Sequence, residues 1–281
     1  MSSVLIDLIS HLKLEIDLTT VADVMSRTPV TLSPNATLED AIKLMVEEGI
    51  GSIYITDSAN TPLGVVTERE LVQDLIMSKG LRKDIELSDI MSQKITPVSP
   101  ETSIQEAARI MMATKGRLVV TREDKIVGVV TASDLVRAFS TGPENRSLSG
   151  AVTQKVKTLD AKNTVFDAVQ MMHERRIGSV AIVKDGRPFG IFTERDLLRI
   201  LSRDLKKRII DIPLEEVASK PLITAPEGIT AREAAAIMKS NKIKRLPLVK
   251  GESLIAIITA RDLVETYAKT GLPAVTITSS D

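Results

Sequence analysis

Apolar positions along the chain fall into two kinds of pattern that alternate in a fixed order. In the stretch Ala41-Ile42, Leu44-Met45-Val46 they recur at helical spacing, which predicts an amphipathic helix. Thr37 stands three residues before Asp40 at its start, an arrangement in which a hydroxyl and an acid satisfy the free amide donors of a first helical turn. Two short apolar runs follow, Ser52-Ile53-Tyr54-Ile55-Thr56 and Leu63-Gly64-Val65-Val66. The polar stretch Asp57 to Pro62 between them predicts two strands joined by a tight turn. A second helix is predicted from Glu68 to about Ser78. With one strand upstream, the unit reads strand, helix, strand, strand, helix.

The unit occurs four times. Its anchor is an apolar pair, a threonine, two variable residues, an acid and leucine: Val65-Val66-Thr67-Glu68-Arg69-Glu70-Leu71, Val129-Val130-Thr131-Ala132-Ser133-Asp134-Leu135, Ile191-Phe192-Thr193-Glu194-Arg195-Asp196-Leu197 and Ile257-Ile258-Thr259-Ala260-Arg261-Asp262-Leu263. The first-helix signal recurs with it, as Thr37 with Asp40-Ala41, Ser103 with Glu106-Ala107, Thr164 with Asp167-Ala168 and Thr230 with Glu233-Ala234. A fixed long period identifies a repeat architecture. A unit of roughly 55 residues cannot hide both faces of a three-stranded sheet, so the units are expected to pair.

The expected fold class is α+β, with four β-α-β-β-α repeats paired into two modules of small three-stranded sheets and helices. The first pair spans 21–140, with repeats at 21–76 and 87–140, and the second spans 148–268, with repeats at 148–202 and 214–268. The breaker-rich stretch Thr141-Gly142-Pro143-Glu144-Asn145 lies in the linker 141–147 between them. Residues 1–20 form an N-terminal extension, whose positions 3–18 alternate like an amphipathic helix, and 269–281 form a polar tail. Met45, Met111-Met112, Met171-Met172 and Met238 fall on the apolar faces of the first helices, as core filler.

Composition narrows the function. The 281 residues are 43% hydrophobic, and Lys plus Arg and Asp plus Glu are both 37, so no basic excess argues for nucleic acid or an anionic membrane. There is no cysteine, and the two histidines, His11 and His173, are far apart, which points to neither a metal site nor a serine-histidine triad. No apolar run approaches the roughly 18 to 20 residues that span a bilayer, and no signal-peptide pattern opens the chain, so the cytoplasm is the expected location.

These residues resemble the cystathionine-beta-synthase (CBS) domain. The resemblance rests on Asp23-Val24-Met25 and Asp89-Ile90-Met91, Pro34 and Pro100, the capped helix, the strands opening Gly51-Ser52-Ile53 and Gly178-Ser179-Val180, and Gly190-Ile191-Phe192-Thr193-Glu194-Arg195-Asp196-Leu197. It covers about residues 21 to 268, and the four-repeat layout is similar to that of the gamma subunit of AMP-activated kinase. It implies paired modules with clefts that hold AMP, ADP, ATP or S-adenosylmethionine as regulatory ligands. The chain departs from the pattern at Ala151-Val152 and Val217-Ala218, in place of an apolar residue and methionine. It also departs at Ala256, where the other repeats have Gly64, Gly128 and Gly190, and at Glu70, where aspartate is usual.

The anchor offers a partner for each part of a nucleotide. Asp134, Asp196 and Asp262 suit a ribose diol, as does Glu70 with one extra methylene. Thr67, Thr131, Thr193 and Thr259 present a hydroxyl where free helix amides favour phosphate. Arg195 and Arg261 lie between threonine and acid, as does Arg69, and Lys242, Lys244 and Arg245 precede a strand of the fourth repeat. Lys115 and Arg117 in the second repeat and Arg175 and Arg176 in the third stand at similar points; the resemblance implies phosphate contacts for such residues. Adenine would lie over Ile50-Gly51-Ser52 and Ile177-Gly178-Ser179, whose small residues permit close approach. A plain capping box is the competing reading of the threonine-acid pairs, compatible only in part with ribose binding, and a solvated edge is that of the basic residues.

The expectation is a non-catalytic adenine-nucleotide sensor that acts on an unidentified protein partner, with homodimerisation left open and no resident cofactor. The alternative is an interaction scaffold or nucleic-acid-binding protein without a small-molecule ligand. An enzyme is disfavoured, since no metal cluster, activated nucleophile or Gly-rich phosphate loop follows from the residues.

Overall fold

The computed structural model describes residues 19–78, 82–115, 117–140, 148, 153–154, 156–203 and 211–269. The amphipathic stretch 3–18, the linker 141–147, the connector cations Lys206, Lys207 and Arg208 and the tail from Gly271 lie outside the described residues. The first repeat contains α1 (Val21–Val24), β1 (Thr31–Leu32), α2 (Leu38–Glu47), β2 (Ser52–Thr56), β3 (Pro62–Thr67) and α3 (Glu68–Met77). The second has α4 (Leu87–Ile90), β4 (Ile95–Val98), α5 (Ile104–Thr114), β5 (Arg117–Arg122), β6 (Lys125–Val130) and α6 (Ala132–Phe139). The third has β7 (Thr153–Gln154), β8 (Thr158–Asp160), α7 (Val165–Arg175), β9 (Ser179–Lys184), β10 (Arg187–Thr193) and α8 (Glu194–Arg203). The fourth has α9 (Leu214–Val217), β11 (Ala225–Pro226), α10 (Ala231–Asn241), β12 (Arg245–Lys250), β13 (Ser253–Thr259) and α11 (Ala260–Lys269).

Each repeat builds its sheet alike. The first strand runs parallel to the second, and the second and third form an antiparallel hairpin. Two hairpins turn on two residues with positive φ, Glu123 and Asp124 at 51° and 59° and Asp185 and Gly186 at 52° and 77°, which matches the twist of the flanking strands. Three sheets have three strands; the fourth has four, because β7 from the start of the third repeat adds to the edge of β13.

First helices begin as the hydroxyl-acid spacing predicts. Thr37, Thr164 and Thr230 accept from the amides of Asp40, Asp167 and Glu233, and those acids accept in return from the threonine amides. Ser103 accepts from the Glu106 amide at 3.2 Å, but Glu106 turns outward to Arg109 instead of closing the box. Met45, Met111, Met172 and Met238 are buried, while Met112 and Met171 are half-buried.

Repeats exchange their opening segments. After α1, Ser26 crosses to the second repeat and pairs with Val129; after α4, Ser92 crosses to the first and pairs with Val65; after α9, Ser219 pairs with Ile191 of the third. Each crossing makes two backbone hydrogen bonds of 2.9 to 3.1 Å. Val21 accordingly belongs to the core of the second and fourth repeats, Leu87 to that of the first, and Leu214 to that of the third. The hairpin glycines make these crossings possible. A Cβ on Gly64 would lie 3.0 Å from the Ser92 carbonyl oxygen and 2.9 Å from the Met91 sulfur, and one on Gly128 would lie 3.0 Å from the Ser26 carbonyl oxygen and closer still to the Met25 sulfur. Opposite Gly190 the position of methionine is taken by Ala218. Ala256, which has a Cβ, pairs with Gln154 of β7 in a regular ladder.

Sheets of the first two repeats meet through Tyr54, Val65, Val119, Ile126 and Val129. Helices meet across the other direction. Val72 and Leu75 of α3 enter the core of the third repeat, and Leu198 of α8 enters that of the first. Helices of the second and fourth repeats share one core, in which the Phe139 and Tyr267 rings stack with centroids 4.2 Å apart.

If Gly128 is there to admit the crossing segment, Gly128→Ala will cost about 1–3 kcal/mol, the usual penalty for overpacking, in a urea titration. Adding Met25→Ala will recover part of that loss. Strictly additive effects in the double variant would show that the methionine sulfur is not the obstacle.

Candidate ligand cavity at the centre of the repeats

Thr67, Thr193 and Thr259 end the last strand of their hairpins and Thr131 directly follows β6; each precedes the following helix, and all four threonine-acid pairs form caps. Thr67, Thr131, Thr193 and Thr259 donate their amides to Glu70, Asp134, Asp196 and Asp262 at 2.7 to 2.8 Å. The threonine hydroxyls donate to the same carboxylate oxygen. The extra methylene of Glu70 curls without loss of the cap.

The acids differ in what their second oxygen meets. Asp196 is buried, and its Oδ1 accepts from Ser219 at 2.8 Å and from Arg199 at 3.2 Å. Asp134 is buried, and its Oδ1 is taken by Arg137. The Asp262 Oδ1 accepts no hydrogen bond among the described residues, and burial raises the pKa of this carboxyl against the pull of Thr259.

The four helix starts converge on a cavity of about 420 Å³. Gly51, Ser52, Thr67, Glu68 and Arg69 reach it from the first repeat, and Arg117 and Ala132 from the second. Lys157, Arg176, Ile177, Gly178, Ser179 and Glu194 come from the third, and Lys244, Arg245, Thr259, Ala260 and Arg261 from the fourth. Of the residues expected to bind a ligand, the structure therefore brings together Gly51, Ser52, Thr67, Ile177, Gly178, Ser179, Thr259, Lys244, Arg245 and Arg261. Ile50, Glu70, Thr131, Asp134, Thr193, Arg195, Asp196, Lys242 and Asp262 do not line this cavity. Lys242 instead lines a second hollow of about 230 Å³ between α6 and α10, with Ser133, Arg137 and Lys239.

Cations dominate the central cavity. Arg69, Arg117, Lys157, Arg176, Lys244, Arg245 and Arg261 face two acids, Glu68 and Glu194. Glu194 lies 3.4 Å from Arg245 and 3.8 Å from Arg69, and Glu68 lies 3.3 Å from Arg195. Burial raises the Glu194 pKa although Arg245 and Arg69 oppose it. Lys244 is accessible through the cavity, yet the protein around it lowers its pKa, with desolvation the largest cause and Glu68 opposing. The glycines expected to admit adenine face these acids: a Cβ on Gly51 would lie 2.8 Å from the Glu68 carboxyl and one on Gly178 2.5 Å from Glu194 Oε2. Glu68, Glu194 and Lys157 were not anticipated as site residues. The available signal was that glutamate follows the anchor threonine in the first and third repeats only, with Ala132 and Ala260 in the others.

Comparison with known proteins agrees with this architecture. The CBS domain family matches residues 21–76, 87–141, 148–203 and 214–269, and the chain belongs to that family. It is 26% identical over 266 residues to protein MJ1404 of Methanocaldococcus jannaschii, an overlap of 88% of this chain and 62% of that one. Protein MJ1225 of the same organism is 24% identical over 266 residues, covering 85% of this chain and 95% of the relative. Inosine-5'-monophosphate dehydrogenase of Staphylococcus aureus is 32% identical over 196 residues, or 68% of this chain and 37% of the enzyme, in its CBS regions. The chain thus spans less than two thirds of the length of MJ1404 and of the dehydrogenase. The crystal structure of MJ1225, proposed there as an archaeal homolog of g-AMPK, superposes with a TM-score of 0.77 at 23% identity over 89% of this chain and 100% of that one. A conserved protein from Pyrococcus horikoshii gives 0.62 at 22% identity, with the same coverage. These two likenesses establish the fold. Among the described residues no helix is long and apolar enough to cross a membrane.

Removing Arg245 tests the charge balance. Arg245→Met will destabilise the protein by roughly 2 kcal/mol near neutral pH, because Glu194 then stays enclosed with less compensation. Arg245 lowers the folded-state pKa of Glu194, so its loss raises a pKa that already exceeds the unfolded value. Stability from that proton is present at low pH and lost as pH rises, so the deficit will be larger at about pH 8 than at about pH 5. Denaturant titrations at the two pH values check this; an equal deficit at both would remove Glu194 from the account.

Proposed function

We propose that the chain is a non-catalytic, cytoplasmic regulatory protein that binds an adenine nucleotide with its phosphate in the central cavity. The supporting observation is the excess of cations there, seven against two acids. Thr67 and Thr259 add hydroxyls. Asp262 does not line the cavity but follows Ala260 and Arg261, which do, and it has an oxygen to spare for ribose hydroxyls, whereas Asp134 and Asp196 would have to give up existing bonds. The cavity favours AMP, ADP or ATP over S-adenosylmethionine, whose sulfonium adds a positive charge where cations already crowd. MJ1225, of the same fold and itself proposed as a g-AMPK homolog, is consistent with regulation of a protein partner.

Melting temperature in the presence of AMP, ADP, ATP, S-adenosylmethionine and a guanine nucleotide tests the reading. A ligand at a hundredfold excess over its Kd stabilises the native state by about 2.7 kcal/mol, so an adenine-selective rise is expected. Asp262→Ala should abolish it. No rise with any nucleotide would favour the scaffold, and a rise undiminished by Asp262→Ala would remove the ribose assignment.

A further inference from the structure

The two acids in the cavity are arranged reciprocally. Thr67-Glu68-Arg69 of the first repeat and Thr193-Glu194-Arg195 of the third exchange acid for arginine: Arg195 Nε donates to Glu68 Oε1 at 3.3 Å, and Arg69 Nε lies 3.8 Å from Glu194 Oε1. The outer arms of the arginines follow the same two-fold rule. Arg69 Nη2 donates to the Arg176 carbonyl at 3.4 Å, and Arg195 Nη2 donates to the Gly49 carbonyl at 3.1 Å. Gly49 and Arg176 occupy matching places just after α2 and α7, both with positive φ. Arg245 from the fourth repeat adds a third cation, 3.4 Å from Glu194 Oε2.

These carboxylates stand where an anionic ligand would find its donors. Each is only 12% exposed; Gly51 leaves room for Glu68, and Gly178 leaves room for Glu194 together with the Arg245 guanidinium. Enclosure penalises the charged form of Glu194 even with arginines beside it. An ion pair held under that penalty gives way to a phosphate more readily than one whose charge is fully compensated, because phosphate brings more charge to the same guanidinium groups.

We propose that Glu68 and Glu194 are internal competitors of the ligand, Glu194 holding the cavity's Arg69 and Arg245 and Glu68 holding Arg195 beside the cavity, and that they tie the first repeat to the third until a phosphate group displaces them. The proposal rests on the cavity being the phosphate site, but not on the ligand's base. It makes the two acids determinants of specificity, since a weakly charged ligand does not overcome them. It also makes the contact between first and third repeats the place where binding is felt.

Calorimetric titration of the full chain with pyrophosphate and, separately, with AMP tests this. Glu68→Gln, Glu194→Gln and the double variant keep side-chain size and hydrogen-bonding capacity while removing charge. The double variant is expected to bind pyrophosphate about tenfold more tightly than the natural sequence. Ala132→Glu, which adds a third acid at the matching position of the second repeat, is expected to weaken binding by a similar factor, and keeps the test decisive should the double variant not fold. Unchanged or weaker pyrophosphate binding by the folded double variant would overturn the proposal, as would unchanged binding by Ala132→Glu. Tighter pyrophosphate binding without any AMP binding would uphold it while removing the adenine reading. AMP and pyrophosphate binding that ignores all of these substitutions would do the reverse.

Discussion

The constraint behind the architecture is that the segment opening a repeat finds its backbone partners on a neighbour's hairpin. Ser26, Ser92 and Ser219 each cross to another repeat and exchange two hydrogen bonds with Val129, Val65 and Ile191. A buried amide or carbonyl left unpaired there would cost on the order of 1–3 kcal/mol, so no repeat is complete alone. The hairpin bends beside each crossing: register shifts fall at Ile55/Thr56, Val120/Thr121 and Pro188/Gly190. The hairpin glycine and the apolar-methionine signature of a repeat are thus two halves of one contact, made between repeats.

Once the sheets are tied this way, the helices have one direction left in which to bury their apolar faces. α3 and α8 join the first repeat to the third, and α5, α6, α10 and α11 join the second to the fourth. The four strand-to-helix corners then meet at one point. The caps supply an acid to the first turn of each of these helices and so moderate the positive helix ends, leaving the arginines and lysines to set the charge of the cavity.

The same motif acquires different chemistry by position. Asp196 and Asp262 sit at equivalent places in their repeats, yet Ser219 and Arg199 complete the first while the second keeps an oxygen without a hydrogen bond among the described residues. Gly51 and Gly178, equivalent to each other, face Glu68 and Glu194. Glycine was expected at these strand starts to let a base approach; the space beside Gly51 holds the Glu68 carboxyl, and that beside Gly178 holds the Arg245 guanidinium and the Glu194 carboxyl.

Helices, hairpins and caps were legible along the chain because they depend on residues a few positions apart. The spacing from Thr37 to Asp40 predicts a cap, and the cap forms; the order of apolar runs predicts three strands and two helices per repeat, and these appear, with a further short helix opening the first, second and fourth repeats and a further strand, β7, opening the third. The candidate cations were visible as residue types, but their meeting in one cavity was not. Glu68 and Arg195 are 127 residues apart, and whether they touch depends on how one repeat docks on another. Similar apolar helix faces do not specify that choice, and nor does any local pattern. It is decided by the segment exchange and by the packing it leaves possible, which exist only when the whole chain is folded.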